Sequence, residues 1–265
     1  MVAPVSEVRL DRVGDATVLT IDRPAVHNAI SRATMGDLAE ALDEVAASDT
    51  RVLAVRGAGT RTFISGGDLN ELATIRRHDE ARDMALRMRS LLDRLATLPI
   101  PVVAGVNGHA FGGGCETAVA CDFRIAAHDV RMAFNQVDLA ITPAWGGIER
   151  LQALAGRSRA LYLTTTGIPI DASTALAWGL VEEVVDRNAF DTRLGTLIER
   201  LARVPRATLV GIKATASRAQ SPVNPDLAAA AAEVFADSWI ADTHWTAAEQ
   251  AASRRRARTK PSVAP

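Results

Sequence analysis

Along the 265-residue chain, apolar and polar positions fall into two regimes: short apolar runs separated by helical periods, then helical periods alone. Glu7 to Leu10 and Ala16 to Ile21 have strand composition and meet at Gly14-Asp15, a small polar pair suited to a turn, so the chain is predicted to open with a hairpin. Asp22-Arg23-Pro24 ends it. Ser31 is a candidate helix N-cap ahead of Met35, Leu38, Ala41, Leu42 and Val45, which recur at helical spacing, and Val52 to Val55 follows as a buried strand. Strand, helix and strand in this order predict a right-handed crossover and a parallel sheet. Thr62 to Ile64 is a further strand that stops at glycines, with Asp68 as cap of the short helix after it. Glu80 to Leu98 is an amphipathic helix through Met84, Leu91, Leu92 and Leu95, expected to cover the sheet, with His78 in a solvated stretch before it. Val102 to Val106 is an uninterrupted β-branched run behind two prolines, hence a fully buried strand, and Phe123 to Ala126 is another. Asp171 to Val185 fits a capped helix, a terminating Gly179 and a strand. Beyond Phe190 the pattern is helical, with breaks at Pro205, at Pro222 and Pro225, and around Asp242 to His244. The fold class expected is α/β with a core over residues 1–189 and a helical region over 190–265.

Two strands in this pattern end at glycines, and there the chemistry concentrates. Gly112 to Gly114 lets the backbone turn sharply with no side chains in the way, so N–H groups opening the next helix can face a ligand. Such donors can stabilise a carbonyl oxygen as it gains charge, and Glu116 lies one turn inside the helix as a titratable group beside that oxygen. A glycine triplet alone is read more simply as a tight strand-to-helix turn with close packing; what shifts the balance is the whole string around it.

Composition narrows the classes. With 48% hydrophobic residues and a net charge of −1, the chain can build a sizeable core and lacks the basic excess usual in nucleic-acid-binding domains. No apolar run approaches the ~20 residues that span a bilayer, and Met1 to Asp11 lacks the basic-then-apolar order of a signal peptide, so no membrane partner and a cytoplasmic location are expected. Cys115 and Cys121 form no disulfide framework or zinc pattern, and no metal site is expected. There is no dinucleotide-binding G-x-G-x-x-G after a strand, no Walker loop and no G-x-S-x-G elbow.

The string Val106-Asn-Gly-His109-Ala-Phe-Gly-Gly113-Gly-Cys-Glu116-Thr-Ala-Val-Ala-Cys-Asp122 resembles the signature of the crotonase superfamily, the enoyl-CoA hydratase and isomerase family. Phe63-Ile-Ser65-Gly66-Gly67-Asp68-Leu69 is similar to that family's Phe-x-x-Gly-x-Asp-hydrophobic motif, Arg23 to Ile30 to its Arg-Pro-x-x-x-Asn-Ala segment, and Ala175 to Val184 to its Ala-x-x-x-Gly-Leu-Val-x-x-Val stretch. The resemblance implies the ββα spiral core of that superfamily. It implies an oxyanion hole from the Gly67 and Gly113 N–H groups, and Glu116 as catalytic acid or base. It also implies a coenzyme A channel beside Val26, a loop at Ser65, Gly66 and Asp68 for the adenine end, and no cofactor beyond the coenzyme A of the substrate. His109, ahead of the hole, is placed to touch the acyl group, although a histidine on such a turn is more often a satisfied structural residue, and it is not read as the base. The expected partner is an acyl-CoA thioester, and the expected assembly a homotrimer or dimer of trimers. The basic tail from Arg254 to Lys260 is a candidate contact for coenzyme A phosphates.

A hydratase of this family uses a second glutamate in a Phe-Gly-x-Pro-Glu-x-x-x-Gly-x-x-Pro segment. Here that segment is Val130 to Gly147, and counting back from Pro143 puts Gln136 at the second position without a gap; counting forward from Phe134 would put Asp138 there at the cost of a deletion. Gln136 is preferred on that ground. It has no proton to exchange and can only orient a water or a substrate group. With Glu116 as the one certain carboxylate, hydration, double-bond migration, and decarboxylation of an ethylmalonyl- or methylmalonyl-type thioester are all open, as is a catalytically weak acyl-CoA-binding subunit. Trp145 is expected beside the pocket as a packing residue, and Glu149 to favour the start of the helix after Gly147.

Overall fold

The computed structural model describes residues 6–218 and 225–259. Strands β1 (Val8–Val13) and β2 (Ala16–Ile21) form the expected antiparallel hairpin, turning at Gly14 with φ of 58°. Helix α1 (Arg32–Ala47) starts at Ser31, whose side chain accepts the Thr34 N–H while the Thr34 hydroxyl accepts the Ser31 N–H, and it buries Met35, Leu38, Ala41, Leu42 and Val45. Strand β3 (Val52–Gly57) returns parallel to β2, completing the crossover. Strand β4 (Thr62–Ile64) leads into α2 (Leu69–Leu72), capped by the Asp68 carboxylate on the Asn70 N–H, and then α3 (His78–Thr97). His78 therefore opens the helix instead of preceding it, and its Nε2 lies 3.2 Å from Asp237.

The central stretch gives β5 (Val102–Val106), every residue buried, then β6 (His109–Phe111) and α4 (Gly113–Ala120), also buried throughout. Strand β7 (Phe123–Ala127) is followed by β8 (Arg131–Ala133), a 3-10 turn over Asn135–Leu139, α5 (Gly147–Ala155), α6 (Arg157–Thr166), β9 (Ile170–Asp171), α7 (Ala172–Ala177) and β10 (Glu183–Val185). Helices α8 (Phe190–Ala202), α9 (Arg206–Arg218), α10 (Pro225–Ile240) and α11 (Asp242–Thr259) complete the chain, their boundaries falling at Pro205 and Asp242 as the sequence predicts. The predicted break at Pro222 and the side chains of the basic tail beyond Arg254 lie outside the described residues.

Two sheets result. One runs β1-β2-β3-β5-β7-β10, parallel except for the hairpin; the other, which hydropathy alone does not reveal, runs β4-β6-β8-β9. The strands of the second sheet are only two or three residues long, too short for a period to register. Phe190, Leu194 and Ile198 of α8 join the common core, while α10 packs along α3. Among the described residues no helix is long and apolar enough to cross a membrane.

Candidate active site

Strands β4 and β6 pair in parallel, so the loops leaving them emerge at the same edge of the small sheet. Those loops are Ser65 to Asp68 and Gly112 to Gly114, the two glycine stops of the sequence. Gly66 has φ of 101°, and a Cβ on it would stand 3.3 Å from the Gly113 nitrogen. A Cβ on Gly113 would come within 1.9 Å of the Trp145 ring, and one on Gly114 within 1.9 Å of the Ile64 carbonyl oxygen. Absence of a side chain is thus what lets the two turns, the indole and the strand end meet. Among the described residues, the N–H groups of Gly67 and Gly113 donate to no protein acceptor.

Glu116 stands one turn inside α4, only 2% exposed. Its Oε1 accepts the N–H of Trp145 at 2.8 Å and of Gly147 at 3.0 Å, and its Oε2 accepts Gln136 Nε2 at 2.9 Å. Gly147 is the first residue of α5, so the carboxylate sits at a helix N-terminus. Burial pushes the Glu116 carboxyl up to about 7, against the pull of the Gly147 and Trp145 N–H groups, the Arg150 charge and Gln136. Gly147 must be glycine here, since a Cβ would lie 2.3 Å from Glu116 Cγ.

Behind the carboxylate lies a charged lattice that no local pattern announced. Arg150 donates to the Trp145 carbonyl at 2.9 Å and pairs with Asp93; Arg89 pairs with Glu149 at 2.6 Å. Glu149 does sit in the first turn of α5 as expected, and it also neutralises a buried arginine of α3. The signal for Trp145 and Gly147 as donors to Glu116 is absent from the sequence, because they lie about thirty residues away and act through backbone N–H groups, and Arg150 acts on Glu116 by charge and through the Trp145 carbonyl it donates to.

The structure brings Gln136, not Asp138, to Glu116. Gln136 is buried in the 3-10 turn, whereas Asp138 points to the exposed side of it. Gln136 Oε1, on the other side of the amide, is buried with no partner among the described residues. A cleft of about 790 Å³ runs past Glu116, Gly67 and Gly113, and Val26, Ser65, Gly66, Asp68, His109, Gln136 and Trp145 all line it. Their situations differ. Val26 is exposed at the surface. The Asp68 carboxylate is committed to Arg23 at 2.9 Å and to the cap of α2. His109 Nδ1 accepts the Arg131 N–H at 3.0 Å, and burial lowers its pKa, so its ring is neutral and held by β8. Trp145 packs beside the pocket as expected and also gives its N–H to Glu116. From the C-terminal region, Phe235 and Trp239 reach the cleft, and Met84 of α3 forms part of its wall.

The family model described as enoyl-CoA hydratase/isomerase matches residues 14–251. A short-chain-enoyl-CoA hydratase of Clostridium acetobutylicum is 39% identical over 184 residues, 69% of this chain and 70% of that protein. The ethylmalonyl-CoA decarboxylase of Homo sapiens is 36% identical over 169 residues, 63% of this chain and 55% of that protein. The crystal structure of an enoyl-CoA hydratase from Mycobacterium avium subsp. paratuberculosis K-10 superposes with a TM-score of 0.84 at 25% identity, covering 94% of this chain and all of that one.

Proposed function

The chain belongs to the enoyl-CoA hydratase/isomerase family of the crotonase superfamily, and on that footing we propose that it holds an acyl-CoA thioester oxygen between the Gly67 and Gly113 N–H groups and moves protons with Glu116 alone. One observation carries this. Among the described residues, two carboxylates line the cleft, Glu116 and Asp68, and Asp68 is tied to Arg23. Each N–H aimed at the developing enolate oxygen is worth about 3 kcal/mol of barrier. In hydration, water oxygen bonds to C3 of a 2-enoyl thioester as Glu116 takes its proton; the π electrons move onto the thioester oxygen, and Glu116 returns the proton to C2. In double-bond migration, Glu116 removes a C2 proton from a 3-enoyl thioester and delivers it to C4. A carboxyl near neutrality suits both directions of transfer. Gln136 orients the exchange, since its Nε2 holds Glu116 and its free Oε1 can accept from a water or hydroxyl.

A second reading, decarboxylation of a malonyl-type thioester, is favoured by Gln136 itself. A neutral amide stands where a second carboxylate would repel the substrate's own. There the C–CO₂ bond breaks, its electrons form the same enolate, and Glu116 protonates C2. Pure protein supplied with crotonyl-CoA, a 3-enoyl-CoA and methylmalonyl-CoA, followed by enoyl absorbance and CO₂ release, separates the readings. Turnover of either enoyl thioester supports the first. CO₂ release alone supports the second, and tight binding without turnover would reduce the protein to an acyl-CoA-binding subunit. Family membership also supports a cytoplasmic homotrimer or dimer of trimers, with residues 190–265 serving assembly and, through Phe235 and Trp239, closing the pocket. Sedimentation equilibrium should return three or six chain masses; a monomer contradicts the assembly.

A further inference from the structure

His244, third residue of α11, is fully buried although nothing in the proposed chemistry uses it. Its ring is stacked on Trp239 with centroids 4.6 Å apart and meets the edge of Trp245 at 4.5 Å. Its Nδ1 lies 2.6 Å from the Leu139 carbonyl oxygen. A carbonyl only accepts, so Nδ1 carries the proton and donates. Leu139 ends the 3-10 turn that carries Gln136, and the peptide it shares with Ala140 is held at both ends: the carbonyl by His244, the Ala140 N–H by the Val137 and Gln136 carbonyls. Ala140 itself is left-handed, φ 54° and ψ 32°, a conformation that disfavours any residue bearing a Cβ and persists only where its surroundings impose it. The imidazole supplies that constraint from a helix more than a hundred residues away.

We infer that His244 is a positioning residue: by pinning the Leu139–Ala140 peptide it locks the 3-10 turn and so keeps the Gln136 amide against Glu116. The inference rests on the roles read above for Gln136 and Glu116. It accounts for a histidine in an aromatic cluster where a leucine or phenylalanine would pack as well but could not donate. A catalytic group displaced by a fraction of an ångström loses rate more than substrate binding, so the expected signature lies in kcat.

The test uses full-length protein, as substrate whichever of the three thioesters the wild type converts, and hydrogen exchange of the backbone across residues 136–141. His244→Leu removes the donor; His244→Gln keeps polarity but places its donor wrongly; His244→Asn can present an amide nitrogen near the Nδ1 position. His244→Leu and His244→Gln should lower kcat about tenfold, leave KM within about twofold and speed exchange of the 136–141 segment. His244→Asn should recover most of the rate. Trp245→Leu, which removes the neighbouring ring but not the hydrogen bond, should keep kcat within about twofold. Unchanged exchange in both donor-removing variants overturns the inference, as does faster exchange with unaltered kcat. Equal loss in Trp245→Leu without rescue by Asn would show packing alone and overturn it too. A fully active Gln136→Ala strikes the underlying reading, whereas an impaired Gln136→Ala beside a fully active His244→Leu strikes only the role of His244.

Discussion

The two glycine turns look alike in sequence and differ in what surrounds them. At Gly67 the space a side chain would fill is bounded by a movable atom, the Leu72 Cδ1 methyl at 2.8 Å, whereas at its neighbour Gly66, with φ of 101°, it is bounded by the Gly113 nitrogen at 3.3 Å. At Gly113-Gly114 it is bounded by the Trp145 ring and by the backbone oxygen of Ile64, both at 1.9 Å. The Gly67 donor thus has a yielding neighbour, while the Gly113 donor sits in a rigid frame that also sets Glu116. The chain has spent its rigidity on the turn that carries the acid.

Substitutions at these positions put the contrast under strain, and the largest effect is expected at Gly114. Gly114→Ala must displace backbone and should cost about 3 kcal/mol of stability by denaturant midpoint; a wild-type midpoint would mean the turn is not rigid. The buried acid gives a second effect of similar size. Its pKa of about 7 in the fold exceeds the ordinary 4.5, so the native state keeps a proton that the unfolded chain releases between those values. That contribution to stability is fully present below pH 4.5 and is lost as pH rises through 7. Glu116→Gln should therefore gain about 3 kcal/mol on wild type between pH 5 and pH 8; parallel stability curves would show that Glu116 is not held protonated. Gly113→Ala should displace Trp145 and one donor together, lowering kcat/KM about a hundredfold. Gly67→Ala is the small case, with less than about tenfold loss in kcat/KM and under 1 kcal/mol in stability, because Leu72 can swing aside. Equal losses at Gly67 and Gly113 would erase the distinction.

Much of this was legible from residues whose roles are local. Ser31 caps α1, Gly14 turns the hairpin, Asp68 caps α2, and Pro205 and Asp242 part the C-terminal helices, each by chemistry confined to a few neighbours. Gly67, Gly113 and Glu116 could be singled out because they lie in contiguous strings that resemble a known family's motifs, and the structure brings all three to one cleft. What stayed hidden acts across distance through backbone atoms: the Trp145 and Gly147 N–H groups on Glu116, the Arg150 donation to the Trp145 carbonyl, the His244 bond to Leu139. A carbonyl or N–H carries no residue identity, so composition and period cannot point to it. Of the second sheet only β4 was legible, from its stop at glycines, because the other strands are too short to alternate. The choice between Gln136 and Asp138 rested on counting, and the 3-10 turn gives it a physical basis by turning one side chain inward and the next acid out.

The most direct test is the turnover of Glu116→Gln, purified and folded, on whichever thioester the wild-type protein converts. With an enoyl thioester, wild-type kcat/KM should rise through about pH 7 as the carboxyl ionises to act as base; with a malonyl-type thioester it should fall through the same range, because Glu116 must then hold the proton it gives to C2. The variant should lose about 10²- to 10⁴-fold in rate and lose that inflection while still binding the thioester. Turnover at the wild-type rate with the same pH profile would contradict the assignment of Glu116 as the proton carrier.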